Sequence, residues 1–380
     1  IGPVVQANAW LGTDCVTPVL CMARCACGSV VLDEPFAEML RVVLRVTRFR
    51  VILLLRYRVG QHAMIRLGFS VRVVGQPALR AYDRRRLPAP DLSVNLIYLR
   101  DVLVYLRRVG IRFYRIASTL LPDTPDMGVF EQLTACATEL EALAAQIAAQ
   151  GVRLTLHLDH HIALGSADDT QAARSLATIE AQAALLERLD AGQSPRMPPP
   201  GVLVTHIGGP ADTHATLQRF ARRYRVLSPR ARSRLVVEHD TNGFSLGRLL
   251  GLHQQCSIPV VFDYLHWQIH NPEQLPLGLA LGLALATWPP GSRPEVHLST
   301  ARSEAHLLPA AAGQSGRVLP PRPGQHADFI AATDLLHLLG AARGLPPFDL
   351  MLEAKAGDLA LLRLRNDIAR MNPTLAARLA

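Results

Sequence analysis

The sequence predicts an α/β fold: a closed (β/α)8 TIM barrel over residues 64–380, preceded by a poorly defined N-terminal extension over residues 1–63. Three observations carry this. Short apolar, β-branched runs recur at 65–71, 111–116, 152–157, 202–206, 235–238, 258–263, 294–298 and 348–353. Continuously apolar runs of that length fit parallel strands buried on both faces. Between most of them lie Ala/Leu/Arg-rich stretches with helical spacing, such as 130–150, 171–189 and 212–224, and strand alternating with helix marks βα units. The runs number eight, which a closed barrel requires. An open doubly wound sheet is the runner-up.

The elements follow in order. Residues 1–63 show no clean pattern beyond a basic, helix-compatible stretch at 35–58 and hold Cys15, Cys21, Cys25 and Cys27. Six cysteines in 380 residues do not make a disulfide scaffold, and the spacing of Cys21 to Cys27 is not that of a zinc pair. The run from Val51 to Leu55, with arginines around it, is too short to span a bilayer. Without a cleavable signal, the expectation is a cytoplasmic protein. Met64 opens the first strand, so 1–63 reads as appended to the folded domain. The Pro-rich stretch 194–201 precedes the fourth strand and lies away from the site face. The stretch 308–325 follows the seventh and lies on the site face.

Composition narrows the function. With 49% hydrophobic residues the chain can bury a large core, and its formal net charge of +9 favours polyanionic partners. Of 40 basic residues only Lys355 is a lysine. The strand ends carry the chemistry. The third gives His157, then Asp159, His160 and His161; the fourth His206; the fifth Glu238, His239 and Asp240. The sixth gives Asp263 and His266, the seventh Glu295 and His297, the eighth Glu353. One strand-end histidine is ordinary. Six successive strands delivering His, Asp or Glu to one barrel mouth are not, because such charges are costly to gather unless cations pair with them. Imidazoles and carboxylates are the ligands of Zn²⁺ and Mn²⁺.

Residues 64–365 resemble the UV-damage endonuclease family of DNA repair enzymes, metal-dependent (β/α)8 barrels related to endonuclease IV and xylose isomerase. The resemblance runs through Met-Ile-Arg-Leu-Gly-Phe (64–69), Tyr-Leu-Arg-Asp (98–101), Phe-Tyr-Arg-Ile-Ala-Ser (113–118), His-Ile-Gly-Gly (206–209) and Arg-Leu-Val-Val-Glu-His-Asp (234–240). It continues with Ile-Pro-Val-Val-Phe-Asp-Tyr-Leu-His (258–266), Val-His-Leu-Ser (296–299) and Leu-Glu-Ala-Lys (352–355). It implies up to three divalent metals, usually Mn²⁺, with Zn²⁺ or Mg²⁺ as alternatives. The implied ligands are His157, His206, Glu238, Asp263, His266, His297, His326 and Glu353, with Asp126 (or Asp123) near a further ligand position. It further implies damaged double-stranded DNA as substrate, nicked just 5′ of the lesion. The chain is expected to be a monomer, acting at the nucleoid without a membrane or an obligate protein partner.

Departures from the family pattern bear on specificity. His160 and His161 stand where the family has a Gln-Tyr pair at the lesion, Phe69 and Val73 where it has polar groups, His239 where it has Asn. Glu295 stands where some members carry a modified, negatively charged Lys. Glu295 and His239 are therefore expected behind the ligands; His160, His161, Phe69, Tyr264 and Arg115 are expected at the DNA, with Arg302 and the Arg84–Arg86 run adding phosphate contacts. Glu238 and Asp263 are the expected bridging carboxylates, and Lys355 is placed to contact the scissile phosphate. A metal-dependent sugar isomerase or epimerase on the same barrel, or a DNA-binding relic without turnover, are the alternatives.

Overall fold

The computed structural model describes residues 64–80, 91–122, 127–192, 200–208, 214–308 and 316–379. The extension 1–63, the Arg84–Arg86 run, and Asp123 and Asp126 lie outside the described residues.

Eight parallel strands close into a barrel: β1 (Leu67–Ser70), β2 (Phe113–Ile116), β3 (Arg153–His157), β4 (Leu203–Thr205), β5 (Leu235–Glu238), β6 (Val260–Asp263), β7 (Glu295–Leu298) and, after the short β8 (His306–Leu308) and β9 (Arg317–Leu319), β10 (Asp349–Leu352). Around the barrel the order is β1-β10-β7-β6-β5-β4-β3-β2. Closure is made by Leu67, Gly68 and Phe69 lying opposite Leu350, Met351 and Leu352. Each strand falls within the run that predicts it, and closure excludes the open sheet.

Helices α1 (Leu92–Val109), α2 (Val129–Ala135), α3 (Ala137–Gln150), α4 (Asp169–Asp190), α5 (His214–Val226), α6 (Pro229–Arg234), α7 (Leu246–Cys256), α8 (Tyr264–Ile269), α9 (Leu277–Ala286), α10 (Ala332–Ala341), α11 (Asp358–Met371) and α12 (Pro373–Ala376) join the strands. Their ends follow local chemistry. Gly110 and Gly151 terminate α1 and α3 in the left-handed region at φ 67° and 62°, where a side chain would be strained. Asp168 caps α4 by accepting from the Thr170 and Gln171 N–H groups. The stretch 130–150, expected as one helix, is two, meeting at Cys136. Within 308–325, expected as a Pro-rich connection, the chain forms part of an antiparallel pair, β8 with β9. Among the described residues no helix is long and apolar enough to cross a membrane.

Side chains two apart on a strand share a face, so β3 reports on the barrel interior from floor to mouth. At the floor Arg153 Nη1 donates to Asp349 Oδ2 at 2.9 Å. One layer up Thr155 Oγ1 lies 3.5 Å from Glu295 Oε1. At the mouth His157 Nε2 lies 2.9 Å from Glu238 Oε2. The interior face of β3 is thus polar, while Val204, Val236 and Val261, two residues before His206, Glu238 and Asp263, share the interior face of their strands and cluster with Val202 and Trp288. Three guanidinium groups, from Arg66, Arg153 and Arg293, pair with the single buried Asp349 at the floor.

Candidate metal centre

Glu238, at the end of β5 and 1% exposed, divides the mouth into two groups. Its Oε2 faces His157 Nε2 at 2.9 Å and His206 Nε2 at 3.8 Å. Its Oε1 faces His297 Nδ1 at 2.9 Å and His266 Nδ1 at 3.4 Å. The ligand atoms of His157, His206 and Glu238 all lie within 4.8 Å of one another, and so do those of Glu238, Asp263, His297 and Glu353. Glu238 is shared between the two sets and could serve both.

Hydrogen bonds behind these side chains fix how several of them are presented. His157 Nδ1 donates to the Leu158 carbonyl at 2.8 Å, which leaves Nε2 toward Glu238. His206 Nδ1 lies 2.6 Å from Asp240 Oδ1, and His297 Nε2 lies 3.1 Å from Glu295 Oε1. A carboxylate behind a ligating imidazole sets its tautomer and raises its basicity. Asp263 Oδ1 accepts the His266 N–H at 2.8 Å, capping α8, while the Asp263 N–H donates to His239 Nε2 at 3.1 Å. Asp263 Oδ2 is buried without a partner. A buried carboxylate oxygen left without a partner among imidazoles is suited to a cation.

The protonation balance agrees. Burial pushes the His297 ring down, but the Glu238 carboxylate beside it overrides this and raises it to about 10. His206 is likewise lowered by burial, yet Asp240 and Glu238 bring it up to about 9. Burial raises Asp263, against the pull of His266. Glu353 resists burial because Arg115 pairs with it, and stays well below the usual carboxylate range. Burial, with His266 nearby, drives His239 down to about 3, so it serves as a neutral acceptor. Without cations, protons on His206 and His297 face the carboxylates of Asp240 and Glu238.

Other candidate residues divide into those at the mouth and those beneath it. His326 reaches Glu353 Oε2 at 3.8 Å, brought back from the long excursion after β7 by an antiparallel bridge to Ala301. His160 is exposed and stacks on His206, rings 5.3 Å apart and 16° from parallel. His161 and Lys355 are exposed. Three expected DNA contacts are corrected. Phe69 is fully buried against Tyr114. Tyr264 is 1% exposed, its hydroxyl 2.9 Å from His337 Nδ1. Arg115 is 4% exposed and engages Glu353, Glu295 and His297. Phe69 and Tyr264 are core, and Arg115 supports the centre from below. Asp240, placed behind His206, was visible only as a carboxylate two residues past Glu238.

A parallel (β/α)8 barrel whose mouth gathers imidazoles and carboxylates around a shared Glu offers groups that could hold a metal ion. The profile of the UV-endonuclease UvdE family matches residues 90–377, and the chain belongs to that family. The UV-damage endonuclease of Neurospora crassa is 33% identical over 198 residues, covering 49% of this chain and 30% of that one. The UV DNA damage endonuclease of Clostridium perfringens is 22% identical over 286 residues, covering 75% and 64%. The chain spans less than two thirds of the length of either relative. The crystal structure of SacUVDE shares the fold, with a TM-score of 0.64 and 23% identity over 81% of this chain and 99% of that one.

Proposed function

We infer that the chain is a DNA repair endonuclease that hydrolyses the phosphodiester immediately 5′ of a UV photoproduct or related lesion in duplex DNA. The carrying observation is Glu238 shared between two ligand groups at the mouth, in a chain of the UvdE family. Divalent cations there, Mn²⁺ in this proposal, would lower the pKa of a water and offset phosphate charge. The chain's residues divide the remaining work. His157, His206, Asp263, His266, His297, His326 and Glu353 surround Glu238 as ligands, and Asp240 and Glu295 orient two of the imidazoles. Asp263, whose Oδ1 is held by the His266 N–H, would offer its bare oxygen to a cation. The attacking water gives up a proton to solvent as its oxygen joins phosphorus, the bond to the 3′-oxygen breaks, and that oxygen takes a proton from solvent, which leaves 3′-hydroxyl and 5′-phosphate ends. Lys355, exposed two residues past Glu353, contacts the scissile phosphate. His160 and His161 present rings to the gap that a poorly stacked lesion opens cheaply.

In this reading residues 64–380 carry the activity, and the chain works as a monomer in the cytoplasm at the nucleoid. The test is nicking by the full chain of a labelled duplex bearing one pyrimidine dimer, beside undamaged and abasic duplexes, with Mn²⁺ and then EDTA. Mn²⁺-dependent cleavage just 5′ of the dimer is expected. Glu238→Gln should abolish it and lower the cation stoichiometry while the circular dichroism spectrum stays the same. No cleavage of any duplex, with cations verified as bound, overturns the proposal in favour of a sugar isomerase.

A further inference from the structure

Between β7 and α10 the chain leaves the mouth and returns to it. At the root Ala301 bridges His326 in antiparallel fashion. There the Arg302 N–H donates to the Gln325 carbonyl at 2.8 Å and the Ala327 N–H to that of Thr300 at 2.9 Å. Farther out β8 and β9 pair with His306 opposite Leu319, Leu307 opposite Val318 and Leu308 opposite Arg317. The result is a two-stranded ribbon rooted beside the ligand pair of His326 and Glu353.

Its outer part does not bury its apolar residues. Leu307 is 77% exposed and Val318 is 65% exposed. Directly opposite partners in a ladder point to the same face, so the two side chains form one apolar step in water. A single exposed Leu needs no explanation; a facing pair on an arm rooted at a catalytic mouth does. The arm is also cationic. Residues 299–325 contain Arg302, Arg317 and Arg322 against Glu304 alone, three positive charges less one negative. Arg317 and Arg322 are exposed.

We propose that this ribbon is a DNA-contacting arm: Leu307 and Val318 press into the minor groove beside the cleaved bond, and Arg317 and Arg322 rest on the flanking phosphates. The proposal builds on the endonuclease reading. Apolar wedges entering the minor groove unstack a base step and bend the duplex toward the major groove. Such a bend would hold open the step at which the mouth must reach the backbone. From Ala301 to Leu307 the chain extends at most about 20 Å. At about 3.4 Å per base step, the contact falls within about six base pairs of the nick. A second copy of the chain fits the face less well, since two cationic arms repel.

The test compares the full wild-type chain with Leu307→Ser/Val318→Ser and with Arg317→Ser/Arg322→Ser, all at exposed positions. A long damaged duplex is used, with an undamaged duplex of the same length beside it. Mn²⁺ stoichiometry and circular dichroism should be the same for all three proteins. The apolar variant should bind the long damaged duplex on the order of 10-fold more weakly and bend it less. The arginine variant should reduce the slope of log affinity against log salt by about 2. Variants that bind and bend the long duplex as the wild type does would overturn the arm while leaving the endonuclease intact. Loss of a dimer without loss of DNA affinity would also overturn it, giving the face to a second copy. A wild-type protein with no affinity for any duplex would overturn the endonuclease reading, and the arm with it.

Discussion

At the residue scale, the centre depends as much on what lies behind the ligands as on the ligands. Asp240 holds His206 through Nδ1 at 2.6 Å. Asp240→Asn keeps the shape and removes the charge, so Mn²⁺ affinity at the group of His157, His206 and Glu238 should fall by about 10–100-fold. Equilibrium dialysis against Mn²⁺ measures this; an unchanged isotherm would remove Asp240 from the centre. The same imidazoles make cation binding a proton-linked event. Their values in the cation-free protein, about 9 for His206 and about 10 for His297, lie above the ordinary 6.5. Raised values stabilise the cation-free fold fully below about pH 6.5, and that contribution is lost as pH rises through 9 and 10. A cation takes a neutral ring, so at about pH 7.5 its binding should expel about two protons, and affinity should fall as pH is lowered. Calorimetric titration with Mn²⁺ in buffers of different ionisation enthalpy counts those protons; a count of zero would mean that both rings are already neutral.

At the element scale, the loops after β3 and β4 are fitted to each other closely enough to fix the spacing of His157 and His206. A Cβ on Gly165 would lie 2.4 Å from the Gly208 carbonyl oxygen and 2.6 Å from Thr216 Cγ2. Arg219 Nε donates to the Gly165 carbonyl at 2.9 Å, and Arg223 Nη1 to those of Leu164 and Ser166 at 2.7 and 2.6 Å. Gly165→Ala must therefore shift backbone. We expect a loss of about 1–3 kcal/mol in denaturant unfolding, with weaker Mn²⁺ binding; full retention of both would show that the loops yield freely. Elements of this kind explain what the sequence revealed. Strands were legible because both faces are buried and the apolar runs are continuous, and the polar cluster at the mouth because most of its residues interrupt such a run at its end. Phe69 and Tyr264 were misplaced because side-chain direction depends on closure and capping. Once Asp263 caps α8, Tyr264 turns toward His337 of α10. Pairing of β8 with β9 was hidden because its prolines read as connection, and the break at Cys136 because helical spacing continues across it.

At the scale of the whole molecule, the barrel separates a floor of buried ion pairs around Asp349 from a mouth that gathers the candidate ligands. Both are polar, but they are balanced differently. At the mouth, carboxylates face imidazoles and leave Asp263 Oδ2 bare. At the floor, Asp349 is fully buried and accepts Arg153 Nη1 and Arg293 Nε, both at 2.9 Å, with Arg66 Nη1 at 3.5 Å. Arg153, 1% exposed, depends on that carboxylate, because a buried guanidinium without its counter-charge is strongly destabilising. Asp349→Asn should cost about 3–5 kcal/mol in unfolding free energy. Conservation of function with the mouth, not the floor, is the rule for such barrels, so cation affinity per folded chain should stay within about twofold of wild type. Denaturant unfolding with and without Mn²⁺, beside calorimetric Mn²⁺ titration, separates the two quantities. The layer between them makes the outcome informative: Thr155 and Arg115 both touch Glu295, and Glu295 touches His297. If Asp349→Asn weakens Mn²⁺ binding as much as it weakens the fold, charge at the floor reaches the ligands through Glu295, and floor and mouth act as one buried network.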